Sequence, residues 1–173
     1  MLLKNKIEHG ETIAQVEFEK VADDLLMISI DNDINDSSRV FSYWRLLGTG
    51  ENPPLEIGIN TKKKTIKNIT FFVDSDCFKD LTFQELNVLK GSIIVDTKIF
   101  RKENDYVDLT GEYVVSVLDN RLICIFDSHS HIKEIIGNNN IKFFVNSNNE
   151  LYGFAIYHLQ EQEIKEIMSI RKI

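Results

Sequence analysis

LEIGINTKKKTIKNITFFV, residues 55–73, is the stretch that decides the fold. Leu55, Ile57 and Ile59 alternate with Glu56, Gly58 and Asn60, the period of two that sets one side of a strand against a core. The run at 66–73 is β-branched and aromatic, as strands prefer. A polar Thr-Lys-Lys-Lys-Thr tip joins the two, so the stretch reads as an antiparallel hairpin. Lys62, Lys63 and Lys64 are then expected to decorate a turn, where charge discourages stray strand pairing, and not to hook a nucleic acid.

The same grammar recurs downstream. IKFFVN (Ile141–Asn146) matches LEIGIN, SNNE replaces the lysine tip, and LYGFAIYHL follows as the second strand. Upstream, LLMISID (Leu25–Asp31) lines up with RLICIFD at 121–127. The spacing between matching landmarks differs by ten residues, assigned to the loop that holds Gly48, Gly50, Pro53 and Pro54, because loops absorb insertions. This order is that of an internal duplication or, since identity between the copies is low, of convergent hairpin grammar. Further strand-like runs lie at 12–18, 39–47, 93–100 and 113–118, and Asp119-Asn120 and Ser147-Asn148-Asn149 carry tight-turn chemistry.

Two segments read as helices. At 83–90, Thr82 and Glu85 form a capping box, Leu81 and Leu86 occupy staple positions, and Gly91 marks the stop. At 160–172, Ile164, Ile167 and Met168 follow the helical period, with Glu161 and Glu163 at the positive end. The fold class is therefore α+β and β-rich: mostly antiparallel sheet, a short helix near 83–90 and a C-terminal helix near 160–172. The organisation is two lobes, 1–91 and 92–173, either packed together or integrated into one domain.

The 173 residues are 43% hydrophobic and 27% charged, enough for a core without a disulfide or metal staple. The only alanines are Ala14, Ala22 and Ala155, which argues against a helical bundle. A net charge of -7 speaks against a general nucleic-acid binder and against docking on an anionic membrane, and it favours a basic protein partner. No signal peptide or membrane-spanning run is read, and Cys77 and Cys124 form no framework, so the expected setting is the cytoplasm with reduced thiols.

Several constellations invite chemistry. Asp127, His129 and His131 would share one face of an extended strand and are the candidate metal ligands, although the string reads first as a polar loop. Asp31-Asn-Asp33-Ile-Asn35-Asp36 begins like a calcium loop, but position six is Asp36 where glycine is needed and position twelve is Ser42 where glutamate is needed. Gly48-Thr-Gly50 lacks the third glycine of a dinucleotide loop. Cys124 reads as a buried small hydrophobe, and Cys77, beside Asp76, as a thiol whose ionised form is disfavoured. Phe41 and Tyr43 share one strand face and Trp44 the other, which makes Trp44 a candidate surface anchor. Acidic residues near strand ends (Asp31, Asp33, Asp36, Asp74 and Asp76) are candidates for one acidic partner-binding face.

Size, acidity, β-rich patterning, the LEIGIN/IKNITFFV and IKFFVN/LYGFAIYHL units and the lack of a catalytic motif together resemble the small acidic immunity proteins of bacterial polymorphic-toxin systems. That resemblance implies a non-catalytic protein that occludes one cognate basic toxin through an acidic face. It carries over no family residue and calls for no cofactor. The alternatives are a small-molecule or metal-binding module with a pocket between the lobes, and a structural subunit that completes its sheet as a homodimer.

Overall fold

The computed structural model describes residues 3–6, 14–32, 41–48, 50, 53–82, 86–126, 131–137 and 140–171. Strands β1 (Leu3–Lys6), β2 (Gln15–Ala22), β3 (Leu25–Asp31), β4 (Phe41–Leu47), β5 (Leu55–Asn60) and β6 (Thr65–Val73) come first. They are followed by β7 (Val88–Leu89), β8 (Ser92–Val95), β9 (Tyr106–Thr110), β10 (Val114–Leu118) and β11 (Arg121–Ile125). Next come β12 (Ile132–Ile136), β13 (Ile141–Asn146), β14 (Leu151–Ile156) and helix α1 (Glu161–Ile170). The result is α+β and β-rich, with two sheets and one α-helix among the described residues.

The two sheets repeat one plan. In the first, β2, β3, β6, β5 and β4 are neighbours in that order, and every pair is antiparallel. In the second, β10, β11, β14, β13 and β12 follow the same order, again antiparallel throughout. Both copies then receive a strand parallel to the last one: β9 beside β4 and β7 beside β12. The chain therefore crosses between sheets, because β7 precedes β8 and β9 in sequence but joins the second sheet, while they join the first. The extra residues of the first copy are shared between the connection to β4, β4 itself and the β4–β5 loop.

Strand alternation sends one face of each sheet into a single apolar core. Ile28, Ile57, Ile69 and Phe71 enter it from the first sheet, and Leu122, Cys124, Phe154 and Ile156 from the second. Burial of these faces is the main drive for the two sheets to pack together. Helix α1 contributes Ile167 and Ile170 to the same core and lies against β3. Its start is fixed by the Glu163 carboxylate, which accepts from the Gln160 N–H at 2.6 Å. Gly153 on β14 has no room for a side chain, since a Cβ would stand 2.3 Å from the Cys124 carbonyl oxygen.

Two expectations need correction. The predicted helix at 83–90 is absent over its described part, for Val88 and Leu89 pair with Ile135 and Ile136 as a parallel strand; residues 83–85 lie outside the described residues. Leu81 and Leu86, the expected staple pair, pack instead against the outer face of the second sheet with Ile123, Ile135 and Phe144. Tertiary burial there outweighs the local capping signals, each of which contributes only about 1 kcal/mol. The strand expected at 93–100 stops at Val95, because the Asp96 carboxylate accepts from the Lys98 N–H and caps a 3-10 turn over Thr97–Ile99.

Candidate functional site

A cleft of about 300 Å³ opens where the end of β6 meets the start of β10. Gly48, Gly50 and Pro53 of the β4–β5 loop form one wall; Asp74, Asp76, Cys77 and Lys79 form the second; Glu112, Tyr113 and Val114 form the third. Asp74 owes its position to a 3-10 turn, Ser75–Cys77, whose Asp76 and Cys77 N–H groups it accepts at 3.0 Å each. Such capping satisfies donors that a turn leaves unpaired. The turn hands the chain on to the second sheet, where Phe78 bridges to Val115 and the Lys79 N–H donates to the Val115 carbonyl at 2.9 Å.

The reactive-looking groups of the cleft are withdrawn from chemistry. The Tyr113 hydroxyl donates to the Phe72 carbonyl and accepts from the Phe72 N–H, and burial raises its pKa far above the ordinary phenol value. The Cys77 thiol is pushed up from 9.0 to about 12, first by burial; a backbone hydrogen bond at Asp74 comes next and lowers it, and the Asp74 side-chain hydrogen bond and the Asp74 and Asp76 charges each raise it by less. The expected direction is thus right, but burial and not the neighbouring aspartate is the main cause. Among the described residues, the lining then holds three carboxylates, Asp74, Asp76 and Glu112, and one ammonium, Lys79, while its thiol and phenol supply no activated nucleophile.

These shifts have a measurable consequence. Between the ordinary thiol range and about 12, the unfolded Cys77 loses its proton while the folded one keeps it. The unfolded state then binds fewer protons, so stability falls as pH rises through that window. Burial pushes Cys124 and Tyr113 in the same direction. The urea midpoint is expected to drop from about pH 8 to about pH 10.5, and an unchanged midpoint would contradict the buried placement of these groups.

The other candidates are scattered. Asp31 lies opposite Asn68 on β6, six residues from Asp74, which separates the two by roughly 20 Å at the rise of a strand. Asp31 also pairs with the Lys67 ammonium at 2.8 Å. The single acidic face is therefore not assembled from Asp31 together with Asp74 and Asp76. Asp33 and Asp36 lie outside the described residues, as do Asp127 and His129, while His131 is exposed just before β12. Among the described residues, no three histidine, cysteine or acidic side chains are grouped to hold a metal ion. Trp44 is not a surface anchor: it is 5% exposed and packs on Phe126 with ring centroids 5.6 Å apart. The exposed aromatic of that region is Tyr106, which stacks on Tyr43 at 5.4 Å and lies under the Arg45 guanidinium. Arg45 in turn grips Asp108 with two hydrogen bonds of 2.7 and 2.8 Å, fastening β9 to β4 and holding the Asp108 carboxyl below its ordinary pKa.

Lys79 and Glu112 are cleft residues that sequence reasoning misses, since nothing local marks them, and Tyr113 and Val114 are read there only as part of a strand. The loop with Gly48 and Pro53 does carry a signal, because it is longer than its counterpart between β12 and β13. Comparison with protein families and with characterised proteins finds no match for this sequence. Among the described residues, no helix is long and apolar enough to cross a membrane.

Proposed function

We propose that this chain is a non-catalytic binding protein, of the kind that the immunity proteins of toxin systems represent, and that it holds a basic protein partner against its acidic cleft. The observation that carries this reading is the cleft itself, where Asp74, Asp76 and Glu112 outnumber Lys79 and where the thiol and phenol are locked in their protonated forms. An arginine or lysine of the partner would find opposite charge inside a concave, partly desolvated site, which favours both encounter and specificity. The net charge of -7 adds long-range attraction for the same partner. The two free thiols fit a reducing, cytoplasmic setting.

The test is affinity capture from the native host at low salt, with the wild type beside the Asp76→Lys/Glu112→Lys double variant. Asp74 is left intact because it caps the turn. The wild type is expected to recover one basic protein in stoichiometric amount and to release it as salt rises. The double variant is expected to bind at least about tenfold more weakly, a change of about 1.4 kcal/mol. Equal recovery by both proteins, or recovery of this chain alone, would sink the proposal.

A further inference from the structure

Each sheet repeats a unit of five antiparallel strands with two edges, and the first sheet also carries β8, paired at Thr65 at the start of β6, with β1 beyond it. Three of these four edges carry an added segment of the same chain running parallel to the edge. They are β9 beside β4, β7 beside β12, and Phe78 beside Val115 of β10, the last reinforced by the Lys79 N–H donating to the Val115 carbonyl. The fourth edge is the outer side of β2. Among the described residues no strand pairs there; the outer sides of β1, β7 and β9 are unpaired as well, but these strands have two to five residues against the eight of β2.

Side chains on β2 show the same incompleteness. Val16 and Phe18 point to the core face but stay half-buried, while their cross-strand partners Ile30 and Ile28 are 1% and 0% exposed. A further strand alongside would complete their cover. On the opposite face, Glu17 and Glu19 are exposed in a row. In a symmetric pairing of two copies of β2, centred on Phe18, those glutamates would meet each other, and each copy brings a net charge of -7. Like charges directly opposite are destabilising, so this edge repels its own copy.

We infer that the β2 edge docks an extended basic segment of a partner protein as an added strand, with lysines or arginines facing Glu17 and Glu19 and apolar residues beside Val16 and Phe18. Main-chain hydrogen bonds supply affinity in this mode and alternate side chains supply selectivity. The inference builds on the reading of a basic protein partner and names how that partner is held.

The test uses the full chain and a blocked seven-residue peptide of alternating lysine and valine. Two further versions carry N-methyl groups on the lysine amides or on the valine amides. Successive residues of a strand turn their N–H groups to opposite edges, so each version silences one edge of the peptide. The parent peptide is expected to bind and to protect the amides of Gln15–Ala22 from hydrogen exchange. One methylated version should lose at least tenfold in affinity while the other keeps it, and the frame that fails reads the direction of the added strand. Glu17→Lys/Glu19→Lys should weaken binding at least tenfold without moving the unfolding midpoint, and at least fivefold more than the charge-matched Asp76→Lys/Glu112→Lys. Equal binding of both methylated peptides, protection elsewhere, a doubled mass of the chain alone, or no binding at all overturns the inference. Loss of peptide binding in the cleft variant alone overturns the edge and keeps the cleft reading. Peptide binding at the edge, with no basic protein captured from the host, does the reverse.

Discussion

Phe154→Ala is expected to lower the stability of the chain by about 3–5 kcal/mol, the usual range for deleting a buried ring. Phe154 is 0% exposed on β14, which lies between β11 and β13. Its ring meets Phe71 of the first sheet edge-on at 5.3 Å and Phe126 at 5.9 Å, and Phe126 in turn touches Trp44 of the first sheet. Aromatic contact thus crosses between the sheets twice around one residue. A loss of that size is a large part of the roughly 5–15 kcal/mol that holds a domain together. It corresponds to a fall of roughly 6–20 °C in Tm for a chain of this length. Because both sheets draw on the same core, the loss should appear as one shifted transition and not as early melting of one lobe. Tyr106→Ala is the comparison, since Tyr106 is 53% exposed and its loss should be smaller than that of the fully buried Phe154. A Phe154→Ala protein that loses less than about 1 kcal/mol, or that unfolds in two steps, would show that the sheets do not depend on a common core.

The order of the sheets is largely legible in the sequence, for a physical reason. Strands β3, β5, β6, β11, β13 and β14 are central, so each must place apolar residues on its core face, and their patterns announce them. The matched pair LEIGIN and IKFFVN marks the same place in both copies, as the shared strand order bears out. The strands that sequence reading overlooks are β1, β7, β9 and β12. β7 has two residues, β9 is exposed along most of its length, and β12 carries Lys133 and Glu134 at its middle. An edge strand needs only part of an apolar pattern, and its partner lies far away in the chain. The candidate site follows the same rule. Asp74 and Asp76 are legible as acids near a strand end and do reach the cleft, whereas Glu112 joins them only because β10 begins beside the end of β6. Asp31 looks like their neighbour in sequence pattern but sits at the other end of that strand, a distinction that only the pairing of β3 with β6 supplies.

Asn60 and Asn146 supply the second large effect. The Asn60 side-chain oxygen accepts from the N–H groups of Lys62 and Lys63 at 3.1 and 3.0 Å, and its carbonyl accepts from Lys64 at 2.7 Å. Asn146 repeats the device, accepting from Asn148 and Glu150 at 3.0 Å each, with its carbonyl taking the Asn149 N–H. Both turns then close through a left-handed residue, Lys64 at φ 60° and Asn149 at φ 59°. Both asparagines are buried, at 2% and 7% exposure, so neither oxygen is readily replaced by water. Changing either to alanine strands two donors and is expected to cost about 1–3 kcal/mol. The double change should cost about 2–6 kcal/mol, since the turn hydrogen bonds described for the two asparagines go to different residues and independent losses add. Aspartate keeps the acceptor oxygens, and its charge separates the two sites. At 60 it meets Lys62, Lys63 and Lys64, so Asn60→Asp should recover most of the alanine loss. At 146 the Asn146 amide donates to the Glu150 carboxylate at 3.3 Å, and a second carboxylate there would repel it. Asn146→Asp should therefore recover little at neutral pH. Urea unfolding of the four single variants and of the double alanine variant measures all of this. Equal recovery by aspartate at both positions would mean that the hairpins do not feel the charges beside them, and no loss on alanine substitution would mean that the side-chain oxygens do not hold the turns.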